Sequence, residues 1–303
     1  YMGLNSANTV RTDADFPYID DNWLVDSLDK MSIGNLRFPP GTYGNFWDWH
    51  LGSIKDESKL PHDDDFLLDL GNLKYKDNSF DRLKNTIEKT GAAHIYAMNI
   101  LNSDKYYEAA GLYYLNSLNL TPKYIEMGDE LYNDFDSYVG SFPTSKSYAD
   151  KVNDWSSYIK GLPGLSNIKI CAVGATNRSS QPDYSRRNTW NKEVCSFLSN
   201  DVDAIALHFY LGANLRGQPL TTANMNDFMA APFIGFSKLQ EELTTVKAAG
   251  KEAWITEFNI YDRNTCVNGS MAHALYLGSL SLCLLEDPNI TKYCAHALTG
   301  NAT

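Results

Sequence analysis

The sequence predicts an α/β protein built as a (β/α)8 barrel, and three observations carry that prediction. Eight short apolar runs recur along its 303 residues. A stretch with helical patterning follows seven of them. The runs are apolar almost throughout rather than alternating, as expected of parallel strands covered on both faces. Repeated strand–helix alternation around eight strands closes into a barrel. A doubly wound open sheet is the alternative, but it leaves the eighth strand without a reason.

Taken in order, "YMGLNSA" (1–7) is the first strand, and "NWLVDSLDKM" (22–31) is the helix after it. "GNLRFPPG" (34–41) is the second strand, and a long loop over about 42–78 separates it from "SFDRLKNTIEKTG" (79–91), a helix ended by its glycine. The third strand is "AHIYAMNI" (93–100), with a helix over 104–119, and the fourth is "KYIEMGDE" (123–130), with a helix over 147–162. "IKICAVGA" (168–175) and a helix over 188–199 follow, then "AIALHFY" (204–210), a loop over 211–234 and a helix over 235–250. "EAWITEFN" (252–259) is the seventh strand, 272–287 its helix, and "YCAHALTG" (293–300) the eighth strand. There is no linker and no internal repeat. The expectation is one catalytic domain over 1–303, trimmed at its C-terminus and lacking the last helix of the barrel.

Composition narrows the partners. A net charge of -11 opposes binding to phosphate backbones, so no nucleic acid is expected. No apolar stretch is long enough to span a bilayer, so no membrane partner is expected; 272–287 reads as a buried helix. Neither a GxGxxG nor a GxxxxGK[ST] phosphate loop occurs, and no cofactor is expected. The five cysteines form no CxxC pair, which argues against a zinc site, and their odd number leaves at least one thiol free or paired outside the chain. Sequons at Asn119, Asn177, Asn268, Asn289 and Asn301 point weakly to a secreted or extracytoplasmic protein. Aromatic residues make up 13% of the chain, which suits a core and equally a cleft where sugar faces stack on rings. The acidic run "HDDD" (62–65) reads as solvated surface; a metal-dependent hydrolase using His62 and Asp63 to Asp65 is the weakest of the functional readings.

In a (β/α)8 barrel, chemistry sits at the carboxyl ends of the strands. Those ends carry Arg37, Asn99, Asp129 with Glu130, His208 with Tyr210, and Glu257 with Asn259. Two carboxylates, on the fourth and seventh strands, therefore face each other across the mouth. Retaining glycoside hydrolysis needs such a pair, one acid to protonate the leaving oxygen and one carboxylate to attack the anomeric carbon.

The segments "LRFPPGTYGNFWDW" (36–49), "YIEMGDE" (124–130) and "WITEFN" (254–259) resemble, in order and spacing, those of clan A retaining glycoside hydrolases, nearest the arabinofuranosidase-like and heparanase-like branches. The resemblance implies a polysaccharide or oligosaccharide substrate, with Glu130 as acid/base and Glu257 as nucleophile. It implies that Arg37 keeps the nucleophile ionised and that His208 and Tyr210 line the site. Asn5 and Asn99 are weaker candidates for sugar hydroxyl contacts, and Trp47 and Trp49 for stacking platforms. Two departures stand out. Asp129 occupies the position where the family has an Asn that donates to the sugar 2-hydroxyl, and an ionised Asp only accepts. Pro40 replaces a Gly and restricts the path of the loop that carries Trp47. Asp129 also motivates a competing reading, a non-catalytic carbohydrate-binding protein on the same barrel.

Three acids in "KYIEMGDELY" need separate explanations. Strand alternation puts Glu126, Gly128 and Glu130 on one side, with Glu126 about 13 Å deeper. So deep a carboxylate requires a partner such as Arg37, in competition with Glu257.

Overall fold

The structure, a computed structural model, describes residues 2–7, 9, 17–54, 79–176, 185–211, 215, 218–260 and 266–297. All eight expected runs are strands: β1 (Met2–Asn5), β2 (Asn35–Phe38), β5 (Ala93–Met98), β6 (Tyr124–Met127), β7 (Lys169–Val173), β8 (Ala204–Leu211), β9 (Glu252–Ile260) and β10 (Ile290–Ala295). They pair in chain order, all parallel, and β10 pairs with β1 to close the barrel. Two short strands, β3 (Trp47–Asp48) and β4 (Ser53–Ile54), form an antiparallel hairpin in the loop after β2.

The seven expected helices are present: α1 (Asn22–Met31), α2 (Phe80–Thr90), α3 (Lys105–Ser117), α5 (Ser145–Lys160), α6 (Ser185–Phe197), α7 (Thr222–Ala248) and α8 (Met271–Leu285). A short α4 (Asp136–Ser141) follows β6 and has no clear signature in the sequence. α7 starts at Thr222, not near 235, so most of the expected 211–234 loop is helix. Pro232, a helix breaker by propensity, lies inside α7 and is buried, as are Phe228 and Phe236 to either side; packing of that face overrides the local preference.

Local signals explain the boundaries. Leu24, Val25 and Leu28 bury one face of α1, each worth roughly 1.5–3 kcal/mol when fully covered. The Asp104 side chain caps α3 by accepting from the amides of Tyr106 and Tyr107. Thr144 and Ser147 form a reciprocal capping box on α5. Between sheet and helices lies one continuous apolar core, in which Leu36, Phe38, Ile125, Met127, Ile170 and Ile205 face the helix layer.

That layer also holds a fully buried acid. Glu108 of α3 accepts from the Tyr96 hydroxyl at 2.8 Å, with Ser103 beside it. Burial pushes its carboxyl up to about 7. All five cysteines are free thiols. No helix among the described residues is long and apolar enough to cross a membrane. The run His62–Asp65 lies outside the described residues.

Candidate active site

Arg37 organises the mouth of the barrel. It sits beside Asn5 in the β1–β2 register and is fully buried. Its Nε donates to Glu126 Oε2 at 2.5 Å, Nη1 to Glu257 Oε1 at 2.8 Å and Nη2 to Asp129 Oδ1 at 2.7 Å. The sequence framed Glu126 and Glu257 as rivals for this cation. The planar fork of a guanidinium presents donors on separate edges, so one Arg serves both acids and Asp129 as well.

Glu257 is held at both oxygens. Asn5 Nδ2 donates to Oε1 at 2.9 Å, beside Arg37, and the Tyr210 hydroxyl donates to Oε2 at 2.6 Å. Burial alone would raise its pKa, but the positive charges of His208 and Arg37 outweigh that and hold it below the usual carboxylate range. Asn5 is itself fixed, accepting from the Ala7 amide. Gly41, at a φ of 39°, passes directly over this carboxylate; a Cβ there would lie 3.3 Å from Glu257 Oε1.

The fourth barrel strand, β6, ends before Asp129 and Glu130. Gly128 has a φ of 89° and Glu130 a φ of 45°, so the chain leaves the strand and regular alternation stops. Asn45, on a 3-10 turn over Gly41–Phe46, clamps the turn from below. Its amide nitrogen donates to the Asp129 carbonyl at 2.7 Å, and its oxygen accepts from the Asp129 N–H at 2.8 Å. As a result, consecutive residues Asp129 and Glu130 both face the site. Although Glu126 starts deeper in the strand, the side chains of Glu126 and Glu130 converge on the His208 imidazole, which reaches both. Its Nδ1 is 2.9 Å from Glu130 Oε1, and its Nε2 is 3.8 Å from Glu126 Oε1.

Depth still separates the four acids. The side chain of Glu130 is 27% exposed, against 8% for Glu257, 2% for Asp129 and 0% for Glu126. Glu130 is the most open to the mouth. Its other partners are the Tyr132 hydroxyl at 2.8 Å and Asn133 Nδ2 at 3.1 Å.

His208 faces Glu257 across the β8–β9 ladder, where β9 carries an extra residue between the partners of Ala206 and His208. Such a bulge re-aims side chains, and here both Thr256 and Glu257 reach the interior. The Thr256 hydroxyl donates to Glu126 Oε1 at 2.9 Å and sits 3.2 Å from His208 Nε2. A hydroxyl has one proton to give, so Thr256 accepts from Nε2–H and thereby fixes that tautomer. The Nδ1 side then shares a single proton with Glu130. Burial would lower the imidazole pKa; the charges of Glu257, Glu126 and Glu130 override it and raise it well above 6.5. The same pairing holds Glu130 below the usual carboxylate range against its own burial. At rest the shared proton therefore lies on His208.

Asp129 behaves differently. Burial, with the charges of Glu257 and Glu130 and against that of Arg37, pushes its carboxyl up to about 7. Glu126, Asp129 and His208 each offer a metal-ligand atom within 4.8 Å of the others. Arg37 already bonds one oxygen of each carboxylate, and its buried charge opposes a second cation there.

Three expected contacts are corrected. Trp47 is 2% exposed and packs edge-on against Phe38, so it belongs to the core. Trp49 is wedged among Phe80, Tyr107 and Tyr114 and donates to the Tyr107 carbonyl. Neither is a platform at the mouth, because the hairpin β3–β4 turns both rings inward. Asn99 donates to the Trp47 carbonyl and accepts from the Asn102 amide; both ends of its side chain brace loops. Thr42, Asn45, Tyr132, Thr256 and His296 were missed. His296 directly follows β10, with its ring 6.0 Å from that of Tyr210. The rule that strand ends carry function would have found it had it been applied to the eighth strand. Asn45 and Thr256 had no signal, since they act through bonds between distant segments.

No family model and no curated relative matches this sequence. Solved structures do resemble it. An α-L-arabinofuranosidase from Thermotoga maritima, in complex with arabinose, has a TM-score of 0.66 at 16% identity over 98% of this chain and 61% of its own. A GH51 arabinofuranosidase from Xanthomonas axonopodis pv. citri has a TM-score of 0.69 at 14% identity, covering 98% and 64%. An endo-1,4-β-D-mannanase from Thermotoga petrophila RKU-1 has a TM-score of 0.54 at 16% identity, covering 97% and 87%. The chain spans about three fifths of the length of these arabinofuranosidases. The closed parallel barrel of eight strands, together with these likenesses, means that the chain has the (β/α)8 fold of the glycoside hydrolase clan its sequence resembles.

Proposed function

We propose that the protein is a retaining glycoside hydrolase in which Glu130 is the acid/base and Glu257 the nucleophile. One observation carries the reading: His208 Nδ1 lies 2.9 Å from Glu130 and 3.5 Å from Glu257. The nearest oxygens of the two acids are thus no further apart than those distances laid end to end. That bound sits at the lower edge of the roughly 6.5–9.5 Å that an inverting enzyme keeps for its water, and so favours the retaining separation of about 5–5.5 Å.

The environments suit the two roles. Glu257 is ionised and held on both oxygens by Arg37, Asn5 and Tyr210, so it is aimed and its charge is maintained for attack on the anomeric carbon. Glu130 shares its proton with His208. As the leaving oxygen gains negative charge, the proton moves from Nδ1 to Glu130 and on to that oxygen; later Glu130 takes a proton from the incoming water. A carbohydrate chain is the substrate, and the sequons favour an extracytoplasmic setting for it.

Activity on a panel of aryl glycosides, led by arabinofuranosides, tests the reading. Glu257→Ala should lose about 10⁴-fold or more in kcat on a substrate the parent cleaves, equivalent to ~5.5 kcal/mol. Glu130→Ala should lose a similar factor on natural glycans, and azide should restore part of its turnover on an activated aryl glycoside. Full activity in Glu257→Ala would end the assignment. Binding of oligosaccharides without cleavage by the parent would favour a carbohydrate-binding protein instead.

A further inference from the structure

Asp129 is the acid of the cluster with an oxygen least provided for. Among the described residues, Glu126 and Glu257 each have a donor within 2.9 Å of both oxygens. Glu130 has donors on both oxygens within 3.1 Å. Asp129 Oδ1 is taken by Arg37, but among the described residues Oδ2 meets only the Thr42 hydroxyl, at 3.4 Å, beyond the usual reach of an O–H···O bond. The Asn45 clamp fixes its backbone, and Arg37 fixes Oδ1.

Charge compounds this shortage. Facing Asp129 are Arg37 from β2, His208 from β8 with Nε2 at 3.8 Å, Glu257 from β9 on the same guanidinium, Glu126 from β6, and Glu130 next in the chain. The Tyr138 hydroxyl from α4 stands behind Asn45. With every acid ionised, four negative charges confront two positive ones. A neutral sugar laid over them excludes water and makes the imbalance costlier. One added proton relieves it most readily at Oδ2, where no donor would have to leave.

We propose that Asp129 works as an un-ionised carboxylic acid in the substrate-loaded site, donating from Oδ2 to the sugar hydroxyl on the carbon next to the anomeric centre, so that its proton sets the alkaline limit of turnover. The proposal rests on Glu257 being the nucleophile. Asp129 and Glu257 sit on neighbouring nitrogens of one guanidinium, so a sugar whose anomeric carbon meets Glu257 lies within reach of both acids. A carboxyl kept neutral donates as an amide would, whereas an ionised one only accepts. The upward push on this carboxyl, to about 7, leaves the proton in place below neutrality and removes it above.

The test pairs a 4-nitrophenyl glycoside that the parent cleaves with its 2-deoxy counterpart, and reads kcat/KM for both from about pH 5 to 9. In the parent, the advantage of the 2-hydroxy substrate should fall at least tenfold between about pH 6 and 9. Asp129→Asn, whose amide donates at every pH, should keep that advantage constant and move the alkaline limb upward. A ratio in the parent that does not vary with pH overturns the proposal without any variant being needed. So does an Asp129→Asn protein with a parental unfolding midpoint whose pH profile superimposes on the parent's. Undiminished cleavage of either substrate by Glu257→Ala would remove the underlying assignment and this proposal together.

Discussion

At the scale of single residues, Arg37 decides the most. It is buried, and three carboxylates depend on its three donor edges. Removing one partner of a buried ion pair leaves uncompensated charge and typically costs about 3–5 kcal/mol. Arg37→Ala should lose at least that in urea unfolding, and Arg37→Lys should recover only part of it, because an ammonium cannot fork toward three acids. A loss below about 1 kcal/mol would mean the acids do not rely on it. Tyr210→Phe removes one charge-assisted bond to Glu257 and should lower kcat/KM about 10–100-fold, following the roughly 1.5–3 kcal/mol such bonds carry. The sequence pointed to Arg37, Glu130, Glu257, His208 and Tyr210 because each ends a strand and carries a reactive group. It misplaced Asn99, Trp47 and Trp49 because a strand end or an aromatic loop does not reveal which way the side chain turns.

At the scale of elements, the turn after β6 and the bulge in β9 shape the site. Gly128 leaves the strand at a φ of 89°, and a Cβ there would sit 2.5 Å from Leu131 Cδ1 and 3.0 Å from Ile100 Cγ2. Gly128→Ala combines backbone strain with overpacking and should cost about 2–4 kcal/mol. It should also reduce activity more than its stability loss explains, since Asp129 and Glu130 follow directly; a variant with a parental urea midpoint would refute this. Strand alternation is a sound rule until a glycine or a bulge interrupts it. Gly128 was visible in the sequence, but its left-handed backbone was not. The extra residue in β9 was invisible, because a bulge is defined by the partner strand.

At the scale of the whole molecule, the buried acids set how stability varies with pH. Glu126, Glu130 and Glu257 are held below their ordinary range by His208 and Arg37 against burial. Their contribution is present above the unfolded value of about 4.3 and is lost as pH falls through their folded values. Asp129 and Glu108 are pushed up to about 7, chiefly by burial. The folded protein then holds protons that the unfolded chain has released, so their contribution fades as pH rises from about 4 to 7. His208, raised well above 6.5, adds stability below that value which is lost as pH climbs through its folded pKa. Urea midpoints should therefore peak at roughly pH 4–6 and decline on both sides. Asp129→Asn and Glu108→Gln should each flatten the decline toward neutrality. A maximum above about pH 8 would contradict the charge arrangement.

By itself the sequence determined the barrel, the order of its eight strands and the two glutamates across the mouth. Apolar runs, helical periodicity and strand-end position are local properties, and the parallel barrel converts them into geometry by a fixed rule. Only the tertiary structure decided that Arg37 serves three acids at once, that Thr256 sets the tautomer of His208, and that Asp129 is left with a weakly bonded oxygen. Those depend on distances between residues far apart in the chain, on the edge of a guanidinium that each acid meets, and on burial that raises or lowers a charge according to what surrounds it.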